Sequence, residues 1–288
     1  MSAADNAKSR FIALATDRNF VELSGVLIRS ICAKGNIPDA KILVYADRLT
    51  KKEKRQLASC ADRPVEIIDV DGALRRRISG LKSTYNWTAA TWLRLLAPEL
   101  TAPASGRLLY LDCDIVVNDD LRPLFDIDLA SHPIAAFHEV ANGFFNAGVL
   151  MIDLAKWRAA NITAKTIDYA RAKGDELVYL DQEALNAVIG LDYLPLDSRW
   201  NLQRREATAF ATAAIVHFTG MKPDHAECQN PARVLYLEHR AYTPWANKPL
   251  RSKLQRRARR YRDKIKALPK RIFRELMLPR KTRKPAPQ

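Results

Sequence analysis

Short apolar runs that alternate with amphipathic helical segments restrict this chain more than any other feature, because that order has few folded solutions. The first run, 11–16, precedes a helix expected over 20–34, where Leu23, Leu27 and Ile31 recur at helical spacing. Runs at 41–46 and 65–70 flank a Lys/Glu-rich helix over 50–59. A further helix is expected over 89–96, stopped by Pro98. The run 107–111 leads straight into Asp112-Cys113-Asp114, with 134–137 and 148–152 as later strands. Residues 181–189 read as a helix with Asp181 near its N-cap. The order predicts an α/β fold, a mixed and mostly parallel sheet flanked by helices, with ligands outside the carboxyl ends of the strands.

The chain has 288 residues, enough for one large α/β domain, or two small ones, with a sizeable core. No run approaches the roughly 18 apolar residues of a membrane span. The apolar stretch 11–15 after the polar first ten residues is too short for a signal-peptide core, so no secretory route is expected. Cys32, Cys60, Cys113 and Cys228 lie far apart and form no CxxC pair. That spacing points away from a zinc site or disulfide framework and toward a reducing cytoplasm. Asn86-Trp-Thr and Asn161-Ile-Thr match glycosylation sequons, which without a signal segment read as accidental.

Charge is concentrated at one end. Residues 251–288 hold 16 of the 47 Lys/Arg and 2 of the 32 Asp/Glu, leaving 31 basic and 30 acidic residues in the first 250. The body is nearly neutral, so the basic pI is no sign of a nucleic-acid-binding fold, and no nucleic-acid partner is expected. In the tail, Leu254, Ala258, Tyr261, Ile265, Leu268 and Ile272 follow spacings of four and three with Arg and Lys between them. Pro269 interrupts this basic amphipathic helix, and Phe273, Leu276 and Met277 lie on a second short segment. The pattern suits an anionic bilayer surface, which places the protein peripherally on the cytoplasmic face of the membrane.

Asp112 and Asp114 stand at i and i+2, so in an extended chain they point the same way. Two hard oxygen ligands at a strand end suit Mg²⁺ or Mn²⁺ bridging to phosphates. The bland alternative is a solvated strand end running into Asn118-Asp119-Asp120. The same segment, read as Asp112-Cys113-Asp114-Ile115-Val116, also matches the nucleophile motif of haloacid-dehalogenase-like phosphatases, with Asp112 attacking phosphorus. That reading expects the motif near the start of the fold and an acidic pair well downstream, whereas at least three strands come first here.

The surroundings of the triplet carry a resemblance. Residues 84–117 include TWLRLLAPEL and GRLLYLDCDIVV, an aromatic-x-Arg-Leu helix, Pro-Glu-Leu, then Tyr-Leu-Asp-x-Asp. Four more blocks occur in order: Ala15-Thr16-Asp17-Arg18-Asn19-Phe20, Phe145-Asn146-Ala147-Gly148-Val149, Leu180-Asp181-Gln182, and His217-Phe218-Thr219-Gly220 with Lys222-Pro223. Over residues 10–225 the chain resembles glycosyltransferase family 8, which includes lipopolysaccharide galactosyl- and glucosyltransferases and the glycogenins.

The resemblance implies a GT-A (Rossmann-like nucleotide-diphospho-sugar transferase) domain over 1–249, followed by the membrane-associating tail, 250–288. It implies metal-dependent, retaining transfer of a hexose from a UDP-sugar to a glycan or glycolipid acceptor, such as lipopolysaccharide. Carried over, Asp17 and Asn19 hold the base and ribose, and Arg94 and Cys113 reach the donor. Asp112, Asp114 and His217 hold the metal, with Mn²⁺ favoured over Mg²⁺ by the imidazole. Asn146 and Ala147 line the sugar pocket, with the small Gly148 leaving room for the sugar. Asp181 binds sugar hydroxyls and Gln182 sits beside the anomeric carbon. Gly220 and Lys222 contact the diphosphate. Two departures stand out: only Met221 separates Gly220 from Lys222, one residue fewer than the family pattern, and Asp224 replaces a Trp. A catalytically inactive membrane-bound scaffold of the same fold is the alternative those departures allow.

Overall fold

The computed structural model describes residues 9–83, 89–103, 105–139, 143–203 and 209–254. The Asn86 sequon and the tail helix beyond Leu254 lie outside them.

The alternating pattern folds as strand β1 (Arg10–Asp17), helix α1 (Val21–Lys34), β2 (Lys41–Asp47), α2 (Lys51–Ala58) and β3 (Val65–Asp69). These three strands pair in parallel. Helix α2 starts where expected because Thr50 and Glu53 form a reciprocal capping box. After α3 (Gly72–Arg77) a 3₁₀ turn, Ala89–Trp92, feeds α4 (Leu93–Leu100). Pro98 lies inside α4 rather than ending it. Proline removes one N–H and costs the helix one hydrogen bond, but only two residues follow it. Arg158 takes up the exit, donating to the carbonyls of Pro98, Glu99 and Thr101.

Next come β4 (Arg107–Leu111), β5 (Ile115–Val117), α5 (Arg122–Phe125), β6 (Ile134–Glu139) and β7 (Phe144–Asp153). Then α6 (Leu154–Ala159), α7 (Ile162–Lys173), α8 (Leu180–Ile189), β8 (Leu194–Leu196), β9 (Ile215–His217) and α9 (Arg233–Arg240) follow. Among the described residues, seven strands make one sheet in the order β3-β2-β1-β4-β7-β6-β8. Strand β7 runs antiparallel to both neighbours, and it begins at Phe144, earlier than the apolar run 148–152 indicated. A second, two-stranded sheet joins β5 to β9.

Both faces of the main sheet are covered, so its strands are apolar at nearly every position. Ile12, Leu14, Ile42 and Val44 pack on one face with α1. Phe11, Ala13, Leu43 and Tyr45 pack on the other with α4 and α8. Burying each large side chain contributes about 1.5–3 kcal/mol. The strand order reverses between β1, whose crossover leads to β2, and β4 on its opposite side. That switch point opens a crevice at the carboxyl ends of β1 and β4. The Asp-Cys-Asp triplet sits there.

Candidate active site

Residues 112–114 form a turn between β4 and β5 rather than a continuous extended strand. The side chains still divide as alternation requires. Cys113 turns inward, where its thiol donates to the Ala15 carbonyl at 2.8 Å and accepts from Ser24 Oγ at 3.1 Å. Burial pushes this thiol up to about 12. Asp112 and Asp114 turn the other way, toward His217. The pairing of β5 with β9 sets Ile115 opposite His217 and so brings the imidazole beside the triplet. His217 Nε2 lies 3.3 Å from Asp114 Oδ1 and 3.9 Å from Asp112 Oδ2. One ligand atom from each of the three residues falls within 4.8 Å of the other two.

A second layer fixes the imidazole. Its Nδ1 donates to Asn201 Oδ1 at 2.9 Å, which leaves Nε2 as the lone-pair nitrogen facing the carboxylates. Asn201 Nδ2 donates in turn to Asn146 Oδ1 at 3.0 Å, and that oxygen also accepts from Gly148 N. Gly148 has a tight spatial role: a Cβ there would lie 2.3 Å from His217 Cε1 and 2.8 Å from Asp112 Oδ2. The glycine therefore lets the histidine and the first aspartate approach, rather than only leaving room for a sugar.

Charge is distributed unevenly across the crevice. Lys222 Nζ donates to Asp114 Oδ2, and to the Phe218 carbonyl at 2.9 Å. Burial works to raise the Asp114 carboxyl, but the Lys222 ammonium, with the His217 imidazole beside it, outweighs burial and holds it well below its ordinary value. Arg94 bridges two carboxylates, donating to Asp112 Oδ1 at 2.8 Å and touching Asp181 Oδ2 at 2.7 Å. The Asp181 contact is an ion pair without hydrogen-bond alignment, since Oδ2 accepts no hydrogen bond. Arg94 also lies over the Tyr110 ring, at 5.2 Å. Burial dominates at Asp181 and pushes its carboxyl up to about 7, Arg94 opposing and Asp112 reinforcing the shift.

Asp181 is the second residue of α8, whose N-cap is Tyr179, so the expected capping role does not hold. Glu183 serves the helix entry instead, accepting from the N–H groups of Val178 and Tyr179. Between them Leu180 holds φ at +50°, strained for a branched residue. This kinked entry aims both Asp181 and Gln182 at the crevice. The Gln182 side-chain oxygen accepts from Ala147 N at 3.0 Å.

Arg94, Asp112, Cys113, Asp114, Asn146, Asp181, Gln182, His217 and Lys222 all line the same cavity. Asp17, Asn19, Ala147 and Gly220 lie outside its lining. Asp17 closes a turn at the end of β1, accepting from Asn19 N at 2.6 Å. Ala147 is wholly buried and contributes its N–H to Gln182, while Gly220 is exposed. Sequence reasoning missed Tyr179, Glu139, Thr91 and Thr219 on the lining, and Asn201 behind it. Asn201 left a faint signal, a polar residue between Trp200 and Leu202 that ends wholly buried.

The model of the family described as "Glycosyl transferase family 8" matches residues 11–228. Among curated proteins, general stress protein A of Bacillus subtilis is 27% identical, over 81% of this chain and 93% of its own length. Lipopolysaccharide 1,3-galactosyltransferase of Salmonella typhimurium is 26% identical, over 82% of this chain and 79% of its own. Among solved structures, galactosyltransferase LgtC in complex with donor and acceptor sugar analogs superposes with a TM-score of 0.72 at 23% identity, covering 81% of this chain and 96% of that one. That likeness identifies the sheet as a GT-A fold. Because the family match runs from β1 through the triplet to the loop beyond Lys222, the chain belongs to glycosyl transferase family 8 and is a glycosyltransferase.

Proposed function

We propose that the protein transfers a hexose, with retention, from a UDP-sugar to a glycan or lipid-linked acceptor of the lipopolysaccharide type. The observation that carries this reading is the convergence of Asp112, Asp114 and His217 within 4.8 Å at the switch point. Two carboxylates and an imidazole with a free Nε2 fit a divalent cation, and the mixed O/N set favours Mn²⁺. Asp112, Asp114 and His217 are the residues that would hold it. Bound there, the cation would supply charge neutralisation for a diphosphate leaving group.

The protein's own groups divide the remaining work. Lys222, already at the Asp114 carboxylate, is placed to follow the negative charge that develops on the departing diphosphate. Asp17 and Asn19, at the end of β1, are assigned to the nucleoside. Arg94 orients Asp112 and Asp181 together. Asp181, engaged by Arg94 and with a carboxyl titrating near neutrality, is a poor nucleophile and a good partner for sugar hydroxyls. Gln182 offers an amide, not a carboxylate, next to it. These assignments favour front-face displacement, in which the diphosphate leaves from the face the acceptor approaches and takes the acceptor's proton. The acceptor class follows from the lipopolysaccharide transferases among the relatives and from the basic tail, which we assign to an anionic membrane surface on the cytoplasmic face. Among the described residues no helix is long and apolar enough to cross a membrane.

Nucleotide release from a panel of UDP-sugars, with and without Mn²⁺, tests the reading. Metal-dependent release by the wild type, lost in Asp114→Ala, supports it. Hydrolysis of simple phosphomonoesters instead would favour the phosphatase chemistry that Asp112-Cys113-Asp114 also matches.

A further inference from the structure

The residue that departs from the family pattern, Asp224, is almost wholly buried, with 1% of its surface exposed. A carboxylate in that position requires a cationic partner. Arg251 supplies it: its Nε lies 3.1 Å from Asp224 Oδ2, and its backbone N–H donates to the Asp224 carbonyl at 2.9 Å. The Arg251 carbonyl accepts from Ala226 N at 3.0 Å, so the chain at 251 lies alongside the loop as an isolated bridge to His225. The imidazole of His225 is a second neighbour, with Nε2 at 3.7 Å from Asp224 Oδ1.

The same guanidinium has another acceptor. Arg251 Nη2 donates to the Asn19 carbonyl at 2.9 Å. Asn19 belongs to the turn that Asp17 closes at the end of β1. Asp224 stands two residues after Lys222, in a turn closed by His225 N on the Lys222 carbonyl at 3.2 Å. One planar fork thus joins two segments more than 200 positions apart in sequence. One segment carries the groups assigned to the nucleoside, the other the lysine assigned to the diphosphate.

We infer that Arg251 is a positioning residue for the nucleotide, a clasp that sets the distance between the Asp17–Asn19 turn and the Lys222 loop. It touches neither cavity nor substrate and acts through Asn19 and Asp224. The loop is one residue shorter than the family pattern and lacks its Trp, and the Asp224–Arg251 pair takes over the anchoring of that loop. A guanidinium suits the task because its planar, spread charge can face the Asp224 carboxylate as an ion pair through Nε while Nη2 donates a hydrogen bond to the Asn19 carbonyl. An ammonium cannot keep both contacts with the same geometry. The inference rests on the proposed donor site.

UDP titration by calorimetry in Mn²⁺, on full-length protein, separates the clasp from that reading. Wild type that fails to bind UDP overturns the donor site and the clasp with it. Given wild-type binding, Arg251→Met, Arg251→Lys and Asp224→Asn are each expected to weaken UDP about tenfold. The double variant Arg251→Met/Asp224→Asn should be no weaker than the worse single, because both changes open one clasp. In Mn²⁺-dependent UDP release the donor KM should rise while kcat at saturating donor holds. Melting temperatures identify a merely structural residue. If Arg251→Lys lowers the melting temperature yet leaves UDP affinity within about twofold, the inference is overturned.

Discussion

Asp114 and Asp181 are both buried, at 9% and 3% exposure, and face one crevice from opposite sides, yet their protons behave in opposite ways. Asp114 has Lys222 at its Oδ2, with His217 shared between it and Asp112, and its carboxyl is held well below its ordinary value against the cost of burial. Asp181 has one cation, Arg94, which it shares with Asp112, and its carboxyl rises to about 7. Burial raises both carboxyls, and the cations around each decide whether that rise is overcome. The β4–β5 turn is built to carry negative charge that a cation could use. The entry of α8 is built to lose it.

The largest test of that contrast is neutralisation at each side. Asp114→Asn should reduce Mn²⁺-dependent nucleotide release by at least about a thousandfold, since it removes a cation ligand and strands Lys222. Steady-state rates with and without Mn²⁺ measure it, and a loss under tenfold would break the contrast. Asp181→Asn makes its own prediction in metal-free protein. A carboxyl raised from 3.8 to about 7 binds its proton more tightly folded than unfolded. Its contribution to stability is thus full below about pH 4 and is lost as pH rises through 7, by up to about 4 kcal/mol. Chemical denaturation in a chelator from pH 4 to 8 should show wild type losing stability along that range and Asp181→Asn losing less.

The positions of these groups in the sequence were legible, their opposite charges were not, and the limits are physical. The five ordered blocks grouped Asp112, Asp114, His217, Asp181 and Gln182, which line one cavity. Strand direction was not legible: β7 is buried at nearly every position, as the parallel strands β1 and β2 are, and its pairing is what shows it antiparallel. The two-stranded β5–β9 sheet was equally hidden, since three-residue strands carry no periodicity. Pro98 misled because a proline's cost depends on how much helix follows it. Asp181 was read as a cap, whereas the positive φ of Leu180 moves the helix start one residue earlier. Asn201 escaped because its side-chain partners among the described residues, His217 and Asn146, are 16 and 55 residues away.

Asn201 also sharpens the comparison, because among the described residues its side-chain bonds reach His217 and Asn146 and not Asp181. Asn201→Leu removes the acceptor that holds His217 Nδ1 and frees the imidazole to turn. Mn²⁺ affinity, followed by calorimetry, is expected to fall by 10–100-fold, about the cost of an orienting partner. The slope of stability against pH between 4 and 8 should match the wild type, since Asp181 keeps its surroundings. A changed slope would mean that the two sides are coupled through the Asn146 chain.

The smallest effect belongs to the residue between the two aspartates. Family resemblance assigned Cys113 to the donor, but its thiol points away from both carboxylates, onto the Ala15 carbonyl and Ser24 Oγ. Cys113 lines the cavity, while its thiol holds β1 and α1 to the triplet. Cys113→Ser keeps a donor for Ala15 in a smaller, more polar atom, and Cys113→Ala removes it. The alanine variant leaves a buried carbonyl short of a donor and is expected to cost about 1–2 kcal/mol in denaturant unfolding, the serine variant less. UDP affinity should stay within about twofold in both. A tenfold loss in the serine variant, with stability intact, would mean that the turn between the aspartates reads the nucleotide directly and that its outward faces are not the whole of the site.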